Sequence, residues 1–356
     1  MTENAFESID RHRRVLLRSA MGIALSSSIA LPHTRGAFAA DAARPAVAAW
    51  GDDATLVSAI GAGTLAVESV AQTSEAYQKG FGYVEHWRGK IPKEMAEFWG
   101  VPAMAGRKAA AVGPPGFQRG MIRLVELGND FRKTSYYDTL GWVALEIHVK
   151  KPEDVVTQLK NKGLPFTHTG GPGQANAPDG APLYRAAQFK GPSDEPLYMT
   201  QHLQLDQLTT VGRNNVGPLF IQTLNTYPYE ATRDFYLQTL GMKMRLESET
   251  RRKVEGGARG ARMSAVRMPE FCSIQIDEFG KGTPQRPAAP GCFSAGVNMS
   301  TLTTRDIDAV KSALAMANVK YREVASNTCP PFSGARALFL NGIGGERLEI
   351  VQPTRT

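Results

Sequence analysis

The sequence predicts an α+β fold of four βαβββ modules, paired into two curved-sheet cups. Three observations predict it. A helix-to-strand corner, RDFYLQTLGMKM at 233–244, is echoed 159 residues earlier by SEAYQKGFGYVE at 74–85, with Glu75 over Asp234, Tyr77 over Tyr236, Phe81 over Leu240 and Gly82 over Gly241. The chain divides into four segments that each open on an apolar strand, pass through one helix and close on another strand. Polar, Gly/Pro-rich stretches at 170–182, 254–262 and 281–291 read as loops between the later strands.

The elements follow in order. The first quarter opens with Thr64 to Val70, takes a helix around 72–80 and ends near Met121 to Glu126. The second opens with Trp142 to Val149. Its helix starts at Pro152, a favoured first-turn residue, shows Val155, Val156 and Leu159 on one face, and stops at Gly163. It closes on Pro196 to Thr200. The third opens with Leu219 to Leu224. Thr232, Phe235, Tyr236, Thr239 and Leu240 form its helical stripe, and Gly241 supplies a left-handed cap. It closes on Cys272 to Ile276. The fourth opens with Phe293 to Met299, places Ile307, Val310, Leu314 and Ala317 on one helix face, and closes on Arg347 to Val351. A single βαβββ unit is too small to bury its sheet face, so two units must join edge to edge, and the resulting cup is lined by alternate residues of its strands. The expected domains are 61–202 and 218–356, joined by a linker at 203–217 and preceded by a segment at 40–60.

Residues 1–39 carry the marks of a twin-arginine export signal: Arg13-Arg14 after a polar lead, a serine-rich apolar run from Ser19 to Leu31, and Ala37-Phe38-Ala39 as a cleavage site. The run is too short and too polar to span hydrocarbon. The expectation is export by the twin-arginine machinery to the bacterial periplasm or medium, with no membrane span in the mature chain. Loss of the signal leaves 36 Lys+Arg against 31 Asp+Glu, from 41 and 34 less five and three, a mild excess of +5. The basic cluster from Arg251 to Arg267 lacks interleaved aromatics and reads as a solvated loop, which argues against nucleic acid. Three cysteines, Cys272, Cys292 and Cys329, allow one disulfide in an oxidising compartment. Cys292 with Cys329 is the expected pair, because both fall in the last quarter. No phosphate loop, dinucleotide fingerprint or Ser-His-Asp order is present.

The sequence at this point resembles the vicinal oxygen chelate superfamily of glyoxalase I, bleomycin-resistance proteins and extradiol dioxygenases. The resemblance spans roughly 60–354 and rests on ATRDFYLQTLGMKMR (231–245), like the family's DFY…LG corner, and NGIGGERLEIVQP (341–353), like its DPDGxxxEL close. It implies a small-molecule substrate, with metal ligands on the first and last strand of each module. Glu349 falls on the carboxylate position, but the first-strand positions fall at Ile221 and near Asn298. All six His lie at or before His202, so no two-His iron site fits within the second half. Weak metal candidates in the first half are Glu126, Glu146, His148 and His202, with Tyr198 on the carboxylate position there.

Three functions remain open. The first is acid/base chemistry of isomerase or lyase type on a small, aromatic-compatible molecule without the usual iron, with Glu349 as the proton-transfer group and Gln222, Gln275 and Asn298 as its polar company. A carboxylate in an apolar cup has its pKa raised by desolvation and suits that role. Arg347 or Arg245 would be its partner in a purely structural role. The second is a metal-dependent dioxygenase or lyase with one divalent metal on atypical ligands. The third is a binding protein without turnover.

Overall fold

The computed structural model describes residues 55–176, 180–203, 211, 215–254, 257–327 and 331–353. The export signal, part of the expected linker, and Cys329 lie outside these. Cys272 and Cys292 are buried free thiols. No helix among the described residues is long and apolar enough to cross a membrane.

The four modules are present. The first holds β1 (Ala59–Val67), α1 (Val70–Phe81), β2 (Val84–Lys90), β3 (Lys108–Gly113) and β4 (Met121–Glu126), with a short helix α2 (Lys93–Phe98) between β2 and β3. The second holds β5 (Gly141–Val149), α3 (Pro152–Asn161), β6 (Thr167–Asn176), β7 (Pro182–Lys190) and β8 (Pro196–His202). The third holds β9 (Val216–Thr226), α4 (Tyr229–Asp234), β10 (Lys243–Val254), β11 (Gly257–Met268) and β12 (Cys272–Glu278). The fourth holds β13 (Gly296–Thr303), α5 (Ile307–Met316), β14 (Arg322–Val324), β15 (Arg336–Asn341) and β16 (Arg347–Gln352).

Helix α1 starts on Ser69, whose side chain accepts from the Gln72 N–H, and ends on Gly82 at φ 69°. The matching corner ends through a π turn, in which the Leu240 N–H reaches Phe235 O at 3.2 Å, before Gly241 at φ 68°.

Two expectations are corrected. The stretches at 170–182 and 254–262 are largely strand. Strand β6 is a sheet edge, where Gly and Pro forfeit no ladder bond, and β10 and β11 run on as a long hairpin. The sheets also do not follow the halves of the chain. One sheet has the order β14-β15-β16-β13-β1-β4-β3-β2 and the other β10-β11-β12-β9-β5-β8-β7-β6. The first quarter therefore pairs with the fourth, through antiparallel β1 and β13 (Ala59↔Thr303 to Ala66↔Gly296), and the second with the third, through β5 and β9. Contiguous domains at 61–202 and 218–356 do not describe this arrangement. The opening strands of all four modules are apolar and bury both faces, so nothing in their pattern marks which two join.

The two sheets pack against each other over one core that includes Leu65, Leu145, Leu219 and Val297 and takes in the apolar faces of α1, α3 and α5. A Cβ on Gly63 would sit 2.9 Å from both Leu145 and Leu219, so the sheets approach too closely there for any side chain. Two polar staples cross the junction. Tyr77 of α1 donates to Glu195 Oε1 at 2.7 Å, and Tyr236 donates to Glu346 Oε1 at 2.9 Å. Each glutamate ends a tight turn before the closing strand of the other sheet's module, and each turn is closed by a glycine N–H (Gly191 to Glu195 O, Gly342 to Glu346 O). The repeated Tyr in the duplicated corner is thus an inter-sheet tie. Burial pushes both carboxyls up to about 7.

Candidate functional site

The two cups have opposite fates. The cup of the first-plus-fourth-quarter sheet is filled by its own chain. Residues 91–107 fold into it with Met95, Phe98, Trp99 and Met104, and meet Phe293 and Phe332 from the last quarter. Glu349 lies in this packing, fully buried, with Arg123 Nη2 at 3.0 Å. It also accepts from Trp99 Nε1 (2.9 Å), Thr301 Oγ1 (2.7 Å) and Asn327 Nδ2 (3.2 Å). The Arg123 guanidinium lies over the Trp99 ring at 4.9 Å. A carboxylate saturated by one guanidinium and three further donors, with no open space beside it, is a structural charge. The expectation of Glu349 as proton-transfer group is corrected, and its partner is Arg123, not Arg245 or Arg347.

Two other candidates also leave the site. Gln222 is buried between the sheets, where Ser300 Oγ donates to its Oε1 at 2.6 Å. Asn298 is spent on its own turn, donating to Ser294 O and Gly296 O and accepting from the Ser294 N–H and hydroxyl. Of the metal candidates, Glu126 belongs to the filled-cup sheet, where it accepts from the Val70 N–H and pairs with Lys108.

The cup of the second-plus-third-quarter sheet is open. All eight of its strands contribute lining: Glu146 from β5, Gly173 and Ala175 from β6, Tyr184 and Ala186 from β7, Tyr198 from β8, Ile221 and Thr223 from β9, Arg245 and Leu246 from β10, Met263 and Ala265 from β11, and Gln275 from β12. The cavity in it is narrow, about 60 Å³, room for several waters. Register explains the convergence. Glu146 stands beside Ile221 across the β5–β9 seam and beside Tyr198 on β8, while Thr223 stands beside Gln275. Ile221 and Tyr198 both line this cup, and of the sequence candidates Gln275 and Glu146 do so as well. The Gln275 amide donates to Asp277 Oδ1 at 3.1 Å.

Arg245 is the residue that sequence reasoning placed elsewhere. Its Nη2 lies 2.8 Å from His202 Nε2, and its guanidinium lies over the Tyr184 ring at 5.4 Å. An arginine has only donors, so His202 Nε2 accepts and the imidazole is neutral. The His202 backbone N–H reaches His148 Nε2 at 3.4 Å, and His148 stacks on Phe220 at 4.7 Å. Burial, reinforced by Arg245, holds both histidines down at about 3.

Burial raises the Glu146 carboxyl, with the Thr200 hydroxyl and Arg245 acting against it. Burial first, then Tyr137, Asp277 and Glu146, raises the Tyr198 phenol well above its usual range, so it stays a neutral hydroxyl. The floor therefore offers a carboxyl that can hold or release a proton, a phenol that can donate a hydrogen bond, and a fixed cation.

A two-His-one-carboxylate metal site does not fit this donor set. The Nε2 atoms of both histidines are already acceptors, to Arg245 and to a backbone N–H, and a guanidinium stands where a metal's charge would be. No group of three metal-ligating side chains suited to a metal occurs among the described residues.

No family profile matches the chain, and no curated protein matches it in sequence. Solved structures do match. Glyoxalase I from Zea mays superposes with a TM-score of 0.56 at 14% identity, over 83% of this chain and 92% of its own. A putative dioxygenase from Bacillus subtilis subsp. subtilis str. 168 gives a TM-score of 0.57 at 13% identity, over 85% of this chain and 87% of its own. At these identities the likeness shows the fold, two glyoxalase-like curved sheets, and no more.

Proposed function

We propose that the chain is an enzyme of the vicinal oxygen chelate type that moves a proton on a small molecule in the open cup, with Glu146 as the proton-transfer group. The observation that carries this reading is the placing of Glu146: a carboxyl of raised pKa on the floor of the open cup, with Tyr198 beside it in register and Arg245 on the same lining. A base of that kind sits closer to neutrality than an ordinary carboxylate and transfers protons efficiently. Glu146 takes a proton from carbon next to a carbonyl, and the C–H electron pair moves into the carbonyl oxygen as an enolate. Tyr198 donates a hydrogen bond to that oxygen. Return of the proton at the same or a neighbouring carbon completes an epimerisation or isomerisation, with nothing consumed. Ile221, Leu246 and Met263 give the cup apolar walls suited to a small aliphatic or aromatic group.

The test is exchange of carbon-bound hydrogen into deuterated water over a panel of small carbonyl compounds. Wild type catalyses exchange with at least one, and Glu146→Gln slows it by ~100-fold or more. Unchanged exchange in that variant would remove Glu146 from the mechanism. Stabilisation by a panel compound with no exchange on any would favour a binding protein. The export reading is carried by Arg13-Arg14 and the Ala37-Phe38-Ala39 site. Replacing both arginines by Lys is expected to leave the chain uncleaved inside the cell, and periplasmic appearance of that variant would refute this route.

A further inference from the structure

We infer that the ligand of the open cup carries a hydroxyl group at the end away from its reacting carbon, and that Gln275 receives this hydroxyl and selects for it. This rests on the cup being the active site, and goes beyond it in naming a feature of the substrate and the residue that reads it. Gln275 and Asp277 lie two residues apart on β12 and so share one face of the strand. The Gln275 amide nitrogen donates to both oxygens of the Asp277 carboxylate, at 3.1 and 3.3 Å. A carboxylate offers only acceptors, so the nitrogen end of the amide must face it and the carbonyl end must face away. The chemistry of the partner thus fixes which way round the amide stands. Gln275 is half-buried and lines the cup, and its Oε1 has no hydrogen-bond partner among the described residues. The cup therefore holds an oriented acceptor that waits for a donor.

The place of that acceptor sets where the hydroxyl lies. Strand β9 separates β12 from β5, which carries Glu146. Two inter-strand spacings put those outer strands ~10 Å apart. The residues also stand in different rows, Gln275 beside Thr223 and Glu146 beside Ile221. A carbon next to Glu146 and a hydroxyl next to Gln275 are then at opposite ends of one small molecule. The lining around Gln275 is otherwise largely apolar, with Leu246, Met263 and Ala265, and apolar walls by themselves favour a methyl group over a hydroxyl. The amide reverses that preference. A ligand that fills the narrow cup displaces water from Oε1, and one that brings no donor leaves a buried acceptor without a bond. A site of this kind rejects the analogue that lacks the hydroxyl. The selection is independent of the charge state of Glu146.

The experiment uses the full mature chain and two pairs of ketones in which a methyl group of similar size replaces the hydroxyl, followed by titration calorimetry. The pairs are 4-hydroxy-2-butanone with 2-pentanone, and 4-hydroxyacetophenone with 4-methylacetophenone. In at least one pair the hydroxy ketone is expected to bind ~10-fold or more tightly. Gln275→Leu is expected to turn the preference toward the methyl compound, and Glu146→Gln to keep it. Asp277→Asn faces Gln275 with an amide, which both donates and accepts, so Gln275 is no longer held one way round and the preference shrinks. Equal or tighter binding of the methyl compound in both pairs, an undiminished hydroxyl preference in Gln275→Leu, or no binding of either hydroxy ketone at millimolar concentration would each overturn the inference. The two readings fail separately. Deuterium exchange on carbonyl compounds with no preference for the hydroxyl would remove the role of Gln275 alone. A hydroxyl preference without exchange on any compound would remove the proton-transfer reading alone.

Discussion

Replacing Glu195 by Gln should leave stability near wild type at pH 5 and raise it above wild type at pH 8. Glu195 is fully buried and accepts from Tyr77 Oη at 2.7 Å and from the Ser193 N–H at 2.8 Å. Burial raises its carboxyl to about 7 from the usual 4.5. The sign follows from proton counting. Between pH 4.5 and 7 the folded chain binds more protons at this site than the unfolded chain. The site's contribution is therefore present at low pH and lost as pH rises through the folded value. At about 1.4 kcal/mol per tenfold change in proton affinity, the full swing is roughly 3 kcal/mol. Gln presents an uncharged group of the same shape, its oxygen toward Ser193 and its amide toward Tyr77, and imperfect bonds there give back about 1 kcal/mol. His148 and His202 work in the opposite sense. Their folded values near 3 mean that their contribution is present above the unfolded value of about 6.5 and lost as pH falls. That behaviour is common to variant and wild type and cancels in the difference. Urea unfolding of both proteins at pH 5 and pH 8 should thus show the difference in stability moving by about 2–3 kcal/mol in favour of the variant. A difference that stays constant, or moves toward wild type, would refute the buried, proton-holding state of Glu195.

Glu349→Gln should destabilise the chain by ~3–5 kcal/mol in chemical unfolding, because Arg123 is left buried without its counter-charge. A loss under 1 kcal/mol would contradict the filled-cup reading. Gly191→Ala should cost ~2 kcal/mol or more in the same assay, since its Cβ would fall 2.0 Å from the Glu195 carboxylate.

The fold was legible because its signals are local. Gly82 and Gly241 each end a helix in a left-handed residue, and the opening strand of each module is a largely buried run. The same register put Ile221 and Tyr198 on the lining of a cup. It could not say which cup is open. Glu349 and Glu146 both stand on strands at the middle of a sheet, and only the packing of residues 91–107 separates a sealed carboxylate from an accessible one. That stretch has too few residues in regular structure to announce a helix that fills a cavity. Arg245 was placed beside Glu349 because its actual supports, Tyr184 and His202, come from another quarter of the chain. The sequence does carry one further signal, the spacing Gly-x-x-x-Glu at Gly191–Glu195 and again at Gly342–Glu346, which marks both staples.

The nested order of the quarters has a consequence for synthesis. The sheet that carries the open cup is complete once residue 278 has been made, because all eight of its strands lie in one stretch of chain, from 141 to 278. The other sheet must wait. Strand β1 leaves the ribosome among the first of the fold, yet its neighbour β13 and the strand beyond that, β16, are among the last. Until they arrive, the open edge of β1 is unpaired and open to any other strand that meets it. The inner sheet can form early around its cup, and the outer one closes over it from both chain ends. Maturation is then a single late event, in which joining the first quarter to the last both seals the filled cup and sets the second inter-sheet tyrosine tie.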